Sequence, residues 1–319
     1  MIIFLKTTDM KKFFVALAAL GVSFSLMAQD FNEAVETFNQ AAQAETKAEA
    51  LSLFKQAYSQ FVALGDEADA LGKVEELKGI IPAYSVAVAK ESISAKDYDA
   101  AIVALEAAAA DCAEFGAEDK AAEVKDLFGL TYKAAAKKAL GAKDAATAFA
   151  NLKKSVEYVP EDGEAQFLLG RILLSSGKVD EAKAAFEVAA ANGKEADVKK
   201  QLFTYYYNNG QKAQQAKKYA EAVEDYAAAL EVNPEPDKAT IFFKMGLSYG
   251  ALGNKAQQNE ALKKYCALDP AGAANEDILL TIAQNAVALK DTDTAKEFYG
   301  KLVNSKNENY AKQAKEYLK

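Results

Sequence analysis

Residues 144–160 read DAATAFANLKKSVEYVP, and the same seventeen-residue frame returns as KVDEAKAAFEVAAANGK from Lys178, KYAEAVEDYAAALEVNP from Lys218 and NKAQQNEALKKYCALDP from Asn254. Three columns carry the repetition: Ala148, Ala182, Ala222 and Gln258; Leu152, Phe186, Tyr226 and Leu262; Ser155, Ala189, Ala229 and Tyr265. Positions four and then three residues apart share one face of a helix, so small, large, small is a packing pattern that lets a neighbouring helix approach closely. Weaker copies place Ala50, Phe54 and Ala57, then Ala101, Leu105 and Ala108, then Ala295, Tyr299 and Leu302 in those columns. The frames start at residues 46, 97, 144, 178, 218, 254 and 291, with spacings of 51, 47, 34, 40, 36 and 37. A fixed period of this order marks a stack of supersecondary units, each touching only its neighbours, and the longer intervals are expected to lengthen helices or loops without breaking it.

Composition supports helices throughout. Ala is abundant, Lys, Glu, Leu and Gln are good helix formers, and the 5 prolines fall mostly between expected helices. Gly141, Gly177 and Gly253 precede their frames and are expected to end the first helix of each pair in a left-handed cap, with Asp180 or a nearby polar residue opening the second. Apolar residues recur at helical spacing and no hairpin dipeptides separate β-branched runs, so strands are not expected.

With these columns in place, the chain resembles the tetratricopeptide repeat, whose motif sets a bulky residue, a Leu-Gly pair and a Tyr on helix A, then Ala, an aromatic and Ala on helix B, with a closing Pro. The copy from Gly163 carries Leu169, Gly170, Gly177, Ala182, Phe186 and Ala189; the copy from Phe203 carries Tyr206, Gly210, Ala222, Tyr226, Ala229 and Pro234. Pro160 and Pro270 close two others, whereas Lys194 stands in a closing-proline column and the chain has no Trp. The resemblance implies an all-α fold, a right-handed helical-repeat solenoid of about seven helix pairs. Repeats fall near residues 31–64, 82–115, 129–162, 163–196, 203–236, 239–272 and 276–309. Residues 308–319 are expected to form a C-terminal capping helix, with Tyr310, Ala314 and Tyr317 facing the last repeat.

Residues 1–28 read as a secretory signal peptide: Lys11 and Lys12 precede an apolar run from Phe13 to Met27, and Ala28 before Gln29 offers the cleavage point, with Met10 as the start. Residues 29–319 are then one solenoid domain, exported to a bacterial periplasm or secreted. The two cysteines, Cys112 and Cys266, belong to the second and sixth copies, too far apart along a solenoid for an intrachain bridge.

Net charge is −8; without residues 1–28, which hold three Lys and one Asp, 35 basic face 45 acidic side chains, or −10. One Arg and dispersed Lys make no cationic stripe, which argues against nucleic acid. With His 0 there is no Ser-His-Asp or Cys-His arrangement, and two distant thiols make no zinc site. The stretch GRILLSSGK from Gly170 has its glycines seven apart and no Ser or Thr after Lys178, so it is not a phosphate loop. No enzyme activity, cofactor or metal is expected.

The family resemblance implies binding on a concave surface lined by helix A, and counting from each repeat start gives Lys133, Lys137, Phe167, Arg171, Tyr207, Asn208, Gln211, Phe243 and Lys244 as groove residues. Cations, amides and aromatics together suit an extended peptide or an acidic tail of an envelope protein. An alternative is a glycan or peptidoglycan ligand stacking on groove aromatics beside Asn208 and Gln211, and self-association is a further use of the surface. The family's carboxylate clamp is met only by Asn208 and Lys244; Phe167, Arg171 and Thr240 fill its other columns, so recognition of a free C-terminus is not expected.

Overall fold

A computed structural model describes residues 31–65, 68–232 and 238–319. The leader over residues 1–28 and the closing Pro234 lie outside the described residues. Among them the chain is helical, in seven consecutive hairpins: α1 Phe31–Gln43 with α2 Lys47–Ala63, α3 Ala68–Ser94 with α4 Tyr98–Phe115, α5 Glu118–Gly141 with α6 Ala145–Tyr158, and α7 Gly163–Ser175 with α8 Val179–Ala189. These are followed by α9 Glu195–Gln215 with α10 Tyr219–Val232, α11 Lys238–Ala251 with α12 Lys255–Leu268, a single turn α13 Pro270–Ala273, α14 Glu276–Ala288 with α15 Thr292–Leu302, and the final α16 Glu308–Tyr317. The helices group into two compact units, one ending at Asn192 and one spanning Gly193–Lys319.

The repeat columns form the cores. Ala148, Leu152, Ser155, Ala182, Phe186, Ala189, Ala222, Tyr226 and Ala229 are all essentially inaccessible. Against three of the large helix-B side chains, Phe186, Tyr226 and Leu262, stands a helix-A glycine. A Cβ on Gly170 would lie 2.6 Å from Phe186, one on Gly210 2.8 Å from Tyr226, and one on Gly246 2.6 Å from Leu262. The glycine is a notch that admits the ring or isobutyl group of its partner helix.

Turns from helix A to helix B are closed by the backbone. In six hairpins the residue before the helix-B cap has positive φ: Lys96, Lys143, Gly177, Lys217, Gly253 and Lys290. The following N–H reaches back five residues in each case, as in Asp144 N to Ala139 O at 2.9 Å and Asp291 N to Ala286 O at 2.9 Å. This is a Schellman closure. Gly177 and Gly253 serve as expected, but Gly141 is the last residue of α5 and the left-handed position falls to Lys143. Helix B then opens on Asp97, Asp144, Asn254 or Asp291, whose side chains accept from the N–H three residues on. In α8 the cap position is Lys178 with no side-chain bond, and Asp180 sits inside the first turn, where its charge favours the helix dipole.

The long intervals extend helices. α3, α5 and α9 have 27, 24 and 21 residues, against 13, 14 and 13 for α7, α11 and α14. Leu77 and Ile81 bury in the first core and Val74 and Ile80 pack beside them, but Leu71 stays 49% exposed, so the apolar stripe covers less of the added length than its spacing suggests. Pro82 lies inside α3, where it removes one ladder bond. At Lys194 no proline stops the chain, and residues Ala190–Lys194 make a π-helical turn.

Polar ties lock neighbouring hairpins. Asp111, nearly inaccessible, accepts from Lys55 Nζ at 2.6 Å and from the buried Ser85 hydroxyl, joining α2, α3 and α4. Tyr226 Oη donates to Gln214 Oε1 at 3.1 Å, and Gln214 Nε2 reaches the Lys244 carbonyl and Ser248 Oγ at 3.1 and 3.0 Å. In the sixth pair, the oversized Tyr265 fits because Gly272 of α13 leaves room beside its ring, and Gln258 is held by Asn285 Nδ2 at 2.8 Å. The last helix caps the second unit as expected: Ala314 is buried, Tyr317 lies 4.8 Å from Tyr299, and Tyr310 Oη bonds Asp277 at 2.6 Å.

Candidate functional site

Four of the nine expected groove residues belong to the first unit. Lys133, from α5, is 16% exposed and binds Asp162 at 2.6 Å and Glu164 at 3.6 Å, while Lys137 one turn on binds Glu164 at 2.5 Å. Asp162 is also the N-cap of α7, accepting from the N–H groups of Glu164 and Ala165 at 3.1 and 3.0 Å. Burial alone would raise its pKa, but the Lys133 hydrogen bond and the two amides outweigh that and hold the carboxyl below its ordinary value. Both lysines therefore splice one helix A to the next. Phe167 is half-buried with its ring 5.9 Å from Phe186, and the exposed Arg171 guanidinium sits 5.9 Å from the Phe167 ring.

The other five belong to the second unit. The Tyr207 ring is stacked on Phe203 at 5.8 Å and tilted against Tyr226 at 6.1 Å, so it is half-buried packing. Phe243 likewise packs on Tyr265 at 5.0 Å. Tyr206, in the bulky helix-A column of the repeat motif, is only half-buried beside Tyr205; the inaccessible centre belongs to Tyr226, against Gly210. Burial, then Tyr207 and Asp225, push the Tyr226 phenol up to about 12. Asn208 is exposed, and Gln211 and Lys244 are partly so.

Exposed residues of α9 and α11 form a stripe that the family count only partly covered. Thr204, Asn208, Lys212 and Gln215 follow one another at helical spacing on α9, and Thr240 and Leu247 are exposed on α11, Leu247 by 49%. Leu247 was missed because an apolar residue at helical spacing reads as core. The Gln214 bonds to Lys244 and Ser248 hold these two helices side by side.

Elsewhere in the second unit, a hollow of about 540 Å³ between α12 and α15 is bordered by Asn259, Lys263, Leu289 and Thr294, and none of the nine residues reaches it. Among the described residues no group of three or more His, Cys, Asp or Glu could hold a metal, and no helix is long and apolar enough to cross a membrane. Cys112 is buried and Cys266 partly so, both as free thiols whose pKa burial raises.

Paired helices with a glycine notch facing a bulky helix-B residue, repeated along the chain, define a helical-repeat protein. Residues 139–202 and 207–273 each match a family model described as tetratricopeptide repeat, and the chain is a tetratricopeptide-repeat protein. No curated protein matches it. Solved structures with similarity include PilF of Pseudomonas aeruginosa, at 19% identity over 56% of this chain and 76% of that one with a TM-score of 0.26. MamA of Desulfovibrio magneticus is 21% identical over 55% and 92% with a TM-score of 0.28. The type IV pilus biogenesis factor PilW is 18% identical over 75% and 99% with a TM-score of 0.27. Likeness at those identities and scores bears no weight on partner or location.

Proposed function

We propose that this protein is a non-catalytic scaffold of the bacterial cell envelope that holds a protein or peptide partner on its helix-A faces, with residues 29–319 as the exported repeat domain. The observation that carries the reading is the stripe on α9 and α11. The helix-B columns are consumed by packing, whereas Asn208, Gln215, Thr240 and Leu247 stay exposed on adjoining helices. Amides and hydroxyls beside an aliphatic side chain can bond a polypeptide backbone and cover an apolar residue at once. The glycan alternative depends on a free aromatic face, and Tyr207 has Phe203 stacked on it.

Photocrosslinking in cells tests this. A reactive side chain at Asn208, with a control at the exposed Glu187 of α8, should give one defined protein adduct at Asn208 alone. Equal labelling at both positions, or none at Asn208, would refute the helix-A face as a protein site. Export is supported by the Lys11–Met27 leader, and a mature N-terminus at Gln29 is its check.

A further inference from the structure

Charge is divided unevenly between the two units. Residues 31–192 hold 17 basic against 27 acidic side chains, whereas residues 193–319 hold 18 against 17. Within the second unit the depletion of acid is local. Asp and Glu make up 46 of 319 residues overall, yet none occurs from Val198 to Gln215 or anywhere in α11. Those two stretches are the adjoining helices that carry the exposed stripe. Lys199 pairs with Glu195 at 2.6 Å, but two lysines of the stripe are not spent as Lys133 and Lys137 are: Lys212 is exposed, Lys244 is half-buried, and neither is within salt-bridge distance of a described carboxylate. Every other side chain of the stripe is an amide, a hydroxyl or Leu247. A face of an acidic protein that excludes carboxylates, and keeps its cations free beside an exposed aliphatic group, is complementary to a ligand with the opposite composition.

We propose that the α9–α11 face binds an acidic, extended segment of a partner protein. Its carboxylates pair with Lys212 and Lys244, its backbone bonds Asn208 and Gln215, and an aliphatic side chain covers Leu247. The inference rests on the helix-A face being a polypeptide site and adds the chemistry of what it takes.

The test uses the full mature chain and three labelled twelve-residue peptides in which Leu alternates with Glu, Gln or Lys, read by fluorescence anisotropy at 50 mM and 300 mM salt. The Glu peptide is expected to bind at least tenfold tighter than the Gln peptide and to weaken several-fold at the higher salt. Lys212→Glu and Lys244→Glu should each remove most of that preference, Leu247→Asp should weaken binding, and Lys296→Glu on α15 should change nothing. Equal binding of Glu and Gln peptides, both sensitive to Leu247→Asp, would overturn the acidic specificity and leave the face a polypeptide site. Failure of all three peptides, together with no Asn208 adduct in cells, would overturn both. Sedimentation velocity supplies the last arm: a dimer that dissociates on Lys244→Glu would assign the face to a second copy of this chain and refute the proposal.

Discussion

Substituting Gly170 by Ala sets two known effects against each other. In a helix interior Ala is favoured over Gly by about 0.8–1 kcal/mol. At Gly170, however, the new methyl would lie 2.6 Å from Phe186 Cε1 and 2.7 Å from its Cδ1, and the ring has little room to retreat because Phe186 is 1% exposed and Phe167 packs against it. Forcing an extra methyl into a filled core costs about 1–3 kcal/mol. The net effect of Gly170→Ala is therefore a destabilisation of up to about 2 kcal/mol, toward the upper end because both ring contacts are far inside van der Waals distance. Gly79, exposed in the middle of α3, has nothing within 4 Å of the added Cβ, so Gly79→Ala should stabilise by about 0.5–1 kcal/mol. Urea unfolding of both variants, compared at unchanged m value, reads the two signs directly. Shrinking the partner supplies the internal control: in the Gly170→Ala, Phe186→Leu double variant the two losses should fall short of additive by more than about 0.5 kcal/mol. A Gly170→Ala protein as stable as wild type, or strictly additive losses, would refute the notch.

The splice at Asp162 makes two checkable statements. Asp162→Ala removes an N-cap and the Lys133 pair and should cost about 2 kcal/mol at pH 7 by urea unfolding. Because the folded carboxyl has a lowered pKa, its contribution is complete above about pH 4, its unfolded value, and disappears as pH falls below that, so wild type and variant should converge in acid. Tyr226 behaves in the opposite sense. With its phenol pushed up to about 12, the neutral form stabilises the fold below the unfolded value of about 10, and that contribution is lost between pH 10 and 12. Tyr226→Phe should cost about 1 kcal/mol at pH 7, from the lost bond to Gln214, and lose stability less steeply than wild type above pH 10.

The helix-B columns were legible because their side chains do one thing: Ala182, Phe186 and Ala189 can only be packing, and all three are buried. Turn positions were less so. A left-handed residue is read from glycine, but at Lys143 the closure is made by backbone bonds that any residue can enter at a modest steric cost, and nothing in a lysine announces it. The surface was the least legible. Lys133 and Lys137 satisfied a count along helix A, but their ion-pair partners lie on the following helix A, so sequence spacing alone did not show those cations to be occupied. Leu247 failed in the other direction, since exposure depends on the neighbouring helix and not on the residue.

The backbone-closed turns fix where every helix A after the first must stop, since each of the six closures ends its helix two residues before the left-handed position, from Ser94 ahead of Lys96 to Ala288 ahead of Lys290. Added length has only one place to go. The extra turns of α3, α5 and α9 all stand at the amino-terminal ends of those helices, along the margin where each hairpin is entered from the one before. That margin works like the selvage of a cloth, able to widen by whole turns while the weave stays in register. New surface can accumulate there by insertion without disturbing a single glycine notch.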